Sequence, residues 1–92
     1  MARTDFAGIA FRDPSTQATF DRVVAAVVAA EQVRAPLAQR HAAAERDLDA
    51  GRISEAQFRT LDAQYIAANN QIAAAKRAVD RFLTQHRDYT SR

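Results

Sequence analysis

Hydrophobic and aromatic positions in the second half of the chain recur at alternating spacings of three and four residues. The positions are Phe58, Leu61, Tyr65, Ala68, Ile72, Ala75, Val79, Phe82, His86 and Tyr89. This spacing puts the side chains on one stripe of an α-helix and is typical of the a/d seam of a coiled coil. The pattern predicts a helix over about residues 55–88 that packs lengthwise against another helix.

The first half of the chain predicts the partner helix, over about residues 14–50. Asp13 is a favoured N-cap, and Pro14 is tolerated at the first helical position because its missing N–H has no partner there. Pro36 removes one hydrogen bond inside this segment. The segment is therefore either one helix kinked near Pro36 or two abutting helices. We favour the kinked helix because Ala35 is a poor cap for a new one.

Residues 51–54 predict a tight turn between the two helices. Gly51 suits the left-handed position that ends a helix. Ser54 followed by Gln57 forms a capping box, and Ile53 with Phe58 has the spacing of a hydrophobic staple. Three local features, the glycine, the capping box and the staple, thus agree on one turn.

The fold class predicted is all-α: a long antiparallel helical hairpin, resembling a coiled coil, preceded by an arm at residues 1–13. Reflection about the turn predicts that His41 lies near Tyr65, Val27 near Val79, and Phe20 near His86. Residues 14–92 then form a single helical-hairpin domain.

Several apolar residues fall outside the predicted seam and need cover that one hairpin does not give. They are Val24, Val28, Val33, Ile66 and Leu83. The arm could supply some cover, and a second copy could complete a four-helix bundle; a different protein is the third alternative. We expect a dimer or larger assembly, a partner protein, or both.

The segment LDAGRISEAQFRTLDAQY, residues 48–65, carries Gly51, Ile53, Ser54, Glu55 and Phe58. It resembles SHOCT, a short helical hairpin module found at the ends of many bacterial proteins. The Lys that follows the Phe in that family is absent here. The resemblance implies oligomerisation or tethering rather than catalysis.

Composition supports a helical protein and suggests its origin. The chain has 22 alanines against two glycines and two prolines, which favours helix. Twelve of its thirteen basic residues are Arg, which suggests a GC-rich coding sequence from a bacterium or its phage.

The longest apolar run, residues 23–30, is too short to span a membrane. We expect a cytoplasmic protein, a component of a phage particle, or a phage protein directed at its host.

The sequence offers little catalytic or metal-binding chemistry. It has no cysteine, no nucleophile or phosphate-loop motif, and two histidines, His41 and His86, near opposite ends of the predicted hairpin. We expect no enzyme activity, no metal and no cofactor.

Charge is distributed unevenly along the predicted hairpin. Residues 45–55, the tip, hold four acids and two arginines, whereas residues 76–92, the open end, hold five basic residues and two aspartates. The candidate partner-binding residues there are Lys76, Arg77, Arg81 and Arg87. Their charge suits an acidic protein or, as a disfavoured alternative, nucleic acid.

The middle of the hairpin is polar where a core would be expected to continue. Arg34 falls on the seam, and reflection places Asn69 and Asn70 opposite it. A polar layer of this kind fixes register and partner choice in helical bundles, so these three residues are also candidates for partner binding. The sequence therefore predicts a small non-catalytic protein–protein interaction protein, either an assembly component or an inhibitor or adaptor.

Overall fold

The computed structural model describes Phe6 and residues 8–90. Its elements are strand β1 (Ala10–Phe11), helix α1 (Pro14–Asp49), helix α2 (Glu55–Gln85) and strand β2 (Tyr89–Thr90). The two helices form a hairpin, and the molecule measures 57 × 21 × 16 Å. The predicted all-α helical hairpin is confirmed.

Helix α1 begins where Asp13 caps it. The Asp13 carboxylate accepts hydrogen bonds from the Thr16 backbone N–H (2.8 Å) and hydroxyl (2.9 Å). The helix continues without interruption through Pro36 and ends at Asp49. One helix, not two, therefore precedes the turn.

The end of α1 satisfies its last carbonyl groups through a Schellman motif. Gly51 has φ 73°, its N–H donates to the Leu48 carbonyl at 3.0 Å, and the Arg52 N–H donates to the Asp47 carbonyl at 2.8 Å. An ion pair of 3.1 Å between the Arg52 and Asp47 side chains joins the two positions that carry a hydrophobic contact in many such motifs.

The capping box at the start of α2 is confirmed. The Gln57 N–H donates to the Ser54 hydroxyl oxygen (3.1 Å), and the Ser54 N–H donates to the Gln57 side-chain oxygen (2.8 Å). Ile53 and Phe58, the predicted staple, are both half-buried. The turn is thus closed by local hydrogen bonds on both sides.

Helix α2 ends three residues earlier than the heptad pattern predicts. At the C-cap, His86 has φ −125° and ψ 87°, and its backbone N–H and Nδ1 both donate to the Phe82 carbonyl (2.9 and 3.1 Å). The prediction of helix through residue 88 is therefore wrong. Tyr89 lies in a strand opposite Phe11 instead of on the helical seam, and Arg87 lies in the segment between helix and strand.

The hydrophobic core lies mostly at the open end of the hairpin. Its buried members are Phe11, Phe20, Val27, Val79 and Phe82. The Phe11 ring from the arm contacts the rings of Phe20 (5.2 Å between centroids) and Phe82 (5.5 Å). Phe20, which was predicted to lie near His86, contacts the Phe82 ring at 5.8 Å between ring centroids. The arm therefore closes the open end of the hairpin.

Candidate interaction surface

Two adjoining apolar depressions run along one side of the hairpin, between α1 and α2. Val33 and Gln71 line both depressions, so we treat them as one feature, the Val33 groove. The full lining is Ala26, Ala29, Ala30, Val33 and Leu37 of α1 with Gln64, Ala67, Ala68, Gln71 and Ala75 of α2.

Small side chains make the groove, and Val33 is the large apolar side chain exposed within it. Val33 retains 53% of its accessible surface, whereas Leu37 is half-buried. None of the lining residues is charged, and the two glutamines are exposed. Alanine side chains are small, so the backbones of α1 and α2 are reached easily along the floor of the groove.

The other off-seam apolar residues have different surroundings. Val24 and Leu83 pack against the open-end core together with Phe6 and Ile9 of the arm. Ile66 is 49% exposed and lines neither part of the groove. The arm therefore buries part of the apolar surface that lies outside the seam, namely that of Val24 and Leu83. The side chains of Val33 and Ile66 remain exposed to solvent.

The predicted polar layer joins the two helices to each other. The half-buried Arg34 donates from Nε to the Asn69 side-chain oxygen (2.5 Å) and from a terminal nitrogen to the Tyr65 hydroxyl (3.0 Å). Asn70 is exposed on the adjacent position of α2. Arg34 and Asn69 thus fix the register of the hairpin.

Tyr65 is a member of this layer that sequence reasoning assigned only to the seam. Its hydroxyl accepts from Arg34, the guanidinium carbon lies 5.4 Å from the ring centroid, and the ring also stacks on His41 at 4.6 Å. The available signal was its position one helical turn before Asn69. The predicted approach of His41 to Tyr65 is confirmed by this stacking.

His41 forms a second polar link between the helices. It donates from Nε2 to Asp62 at 2.8 Å, and Nδ1 lies 3.7 Å from a Glu45 carboxylate oxygen. Each ring nitrogen faces a different carboxylate, so the two carboxylates bracket the imidazole rather than converge on one point. Within the described part of the chain, no three His, Asp or Glu side chains are arranged to hold a metal ion.

The candidate basic residues of the open end are divided between α2 and the segment that follows it. Arg77 and Arg81 are exposed on α2, and Lys76 is half-buried. Arg87 lies beyond the helix and donates from Nε to the Thr84 carbonyl at 3.2 Å. The structure places Lys76, Arg77 and Arg81 on α2 and Arg87 in the segment between α2 and β2.

Comparison with protein-family models, curated proteins and solved structures finds no match to this chain. The resemblance of residues 48–65 to the SHOCT module accordingly has no support from a family model. Neither α1 nor α2 combines the length and the apolar character needed to cross a bilayer.

Proposed function

We propose that this chain is a non-catalytic protein–protein interaction protein of bacterial or phage origin. It acts as an assembly component, or as an inhibitor or adaptor, by docking a helical surface on its Val33 groove. The observation that carries the proposal is the groove itself, an uncharged channel with Val33 exposed along the hairpin. The cytoplasm or a phage particle is the location that fits this function.

The hydrogen bonds that join α1 to α2 support a docking role for the hairpin. The capped turn, the link from Arg34 to Asn69 and the link from His41 to Asp62 hold the helices in one register. A preformed surface loses little conformational entropy when it binds. The groove residues therefore stand ready for a partner helix without rearrangement of the hairpin.

Affinity capture from the native host, or from infected cells, tests the proposal. Wild type, Val33→Glu and Ile66→Glu are used as baits, each with and without nuclease treatment. Val33 and Ile66 have similar exposure, but only Val33 lines the groove. We expect a protein captured by wild type and by Ile66→Glu, lost with Val33→Glu, and unaffected by nuclease. Equal capture by all three baits contradicts docking at the groove.

A further inference from the structure

The lining of the Val33 groove has the periodicity of a second helix-packing seam. Its lining residues recur at spacings of three and four along both helices, as in Ala26, Ala29 and Val33 on α1 and Gln64, Ala67 and Gln71 on α2. A partner helix follows such a spacing over several turns. An elongated helical surface, rather than a loop or a compact ligand, therefore fits the groove.

We propose that the occupant is a second copy of this chain, packed antiparallel so that two hairpins form a four-helix bundle. The inference rests on the proposed function and names the partner for the same groove. A closed pair of identical hairpins that meet through one face has a two-fold axis. That axis lies either along the hairpins, which brings the two tips together, or across them, which brings each tip to the other copy's open end.

Charge decides between these two orientations. The tip carries a net charge of −2, from Glu45, Asp47, Asp49 and Glu55 against Arg46 and Arg52. Among the described residues of the open end, four basic side chains (Lys76, Arg77, Arg81 and Arg87) against Asp80 and Asp88 give a net charge of +2. Arg12 and Arg22 against Asp13 and Asp21, from the neighbouring arm and start of α1, add no net charge. Only the antiparallel pair places opposite charges together, whereas the parallel pair places like charges together.

The same charge separation favours a second copy as the occupant of the groove. Each copy offers an acidic tip and a basic open end on either side of a neutral groove, so two copies complement each other at both ends at once. In this arrangement α1 faces α1, and the Val33 side chains of the two copies meet near the axis. The small exposed apolar patch of each copy is thereby covered by the same patch of the other copy.

Sedimentation equilibrium of the purified chain tests whether the second copy binds at the groove. We expect wild type and Ile66→Glu to be dimers at micromolar concentration. Val33→Glu brings two carboxylates together at the axis, so its dimer dissociation constant should rise about tenfold or more. Circular dichroism of each variant establishes that the helices remain intact.

Spin labels test the orientation. The chain has no cysteine, so Ala56→Cys, an exposed position at the tip, gives one labelling site per copy. Ala56 lies about 25 Å along the hairpin axis from the level of Val33, at about 1.5 Å per residue. Antiparallel copies therefore separate the two labelled backbones by about 50 Å, whereas parallel copies leave them about 15 Å apart.

Dimers that are weakened only by Val33→Glu and show the long label distance support the inference. A monomeric wild type, a dimer indifferent to Val33→Glu, or the short distance overturns it. A monomeric chain that still captures a host protein through Val33 overturns the second copy while leaving the proposed function standing. A Val33-dependent antiparallel dimer without any captured protein supports the second copy and limits the function to self-assembly.

Discussion

At the scale of single residues, the ends of the helices depend on a few backbone and side-chain groups. Gly51 takes a left-handed conformation, with φ 73°, that ends α1. A β-carbon built at Gly51 meets no other atom within 4 Å. Any cost of a side chain there thus comes from the backbone conformation and not from crowding.

We expect Gly51→Ala to lower the free energy of unfolding by about 1 kcal/mol because alanine is strained at positive φ. Gly51→Asn should cost less, since asparagine adopts this conformation more readily. Urea denaturation of both variants at one protein concentration measures the difference. Equal losses for Ala and Asn would show that positive φ is not the determinant.

Asp13 makes the cap of α1 sensitive to acid. Hydrogen bonds from the Thr16 backbone N–H and hydroxyl lower the pKa of the Asp13 carboxyl below its ordinary value of 3.8. A carboxyl whose pKa is lower in the folded state stabilises the fold above its unfolded pKa. That stabilisation disappears as pH falls through the folded pKa.

We therefore expect the Tm advantage of wild type over Asp13→Asn to shrink as pH falls from neutral to below 3.8. Asparagine caps a helix nearly as well as aspartate and does not titrate. Thermal unfolding followed by circular dichroism across this pH range measures the advantage. A difference in Tm that is independent of pH would contradict a role for the ionised cap.

At the scale of secondary-structure elements, polar links between α1 and α2 replace a continuous apolar core in the middle of the hairpin. Arg34 supplies the donors, and Asn69 and Tyr65 supply the acceptors. If the donor alone is removed from a half-buried hydrogen bond, the acceptor is left without its hydrogen bond. The loss of unfolding free energy is then larger than when donor and acceptor are both replaced by apolar groups. The layer therefore specifies register more than it adds stability.

We expect Arg34→Met to cost about 1–3 kcal/mol of unfolding free energy. The double variant Arg34→Met/Asn69→Leu should cost less than the sum of the two single changes, because no side-chain oxygen remains at position 69 to be left without its donor. Arg40→Met, an exposed arginine on the same helix, serves as the control and should change little. Additive losses in guanidinium denaturation would mean that the two residues are uncoupled.

The heptad spacing and the capping residues were sufficient to predict the hairpin, its turn and the start of both helices. The end of α2 was not predictable from spacing, because His86 and Tyr89 continue the three-four pattern by chance. His86 instead stacks on Phe82 at 4.1 Å between ring centroids, and the Tyr89 ring packs on Phe11 at 5.5 Å. The contact with Phe11 of the distant arm accompanies the departure of Tyr89 from the helix, and a local pattern contains no information about that contact.

At the scale of the whole molecule, the core is concentrated at one end and the exposed groove lies along the middle. Sequence reasoning identified Val33 and Ile66 as apolar residues in need of cover, but it did not distinguish them from Val24 and Leu83. Only the packing of the arm separates the two pairs. The groove itself gives a weak sequence signal, because alanine is common in both buried and exposed helix positions of this chain.

We expect no salt-sensitive DNA or RNA binding at physiological ionic strength. Asp80 and Asp88 offset two of the four described basic side chains of the open end, so the remaining net charge of +2 supports few phosphate contacts. Fluorescence anisotropy with a random duplex and a single-stranded RNA, at several salt concentrations, measures binding.

Two variants with equal charge removal control this measurement. One changes Arg77, Arg81 and Arg87 to Gln at the open end; the other changes the exposed residues Arg40, Arg46 and Arg59, nearer the turn, to Gln. Submicromolar binding that weakens with salt and is lost only in the open-end variant would establish nucleic acid as the ligand.

The pairing of Ala10 with Thr90 and of Phe11 with Tyr89 also determines how the molecule responds to mechanical force. Tension applied between these two strands first loads their short ladder and the aromatic contacts of Phe11. Once they separate, the same tension peels α2 from α1 progressively, from the open end toward the turn at Gly51. Hydrogen bonds and side-chain contacts then break a few at a time, so the hairpin would unfold at low force. It would refold from its capped turn.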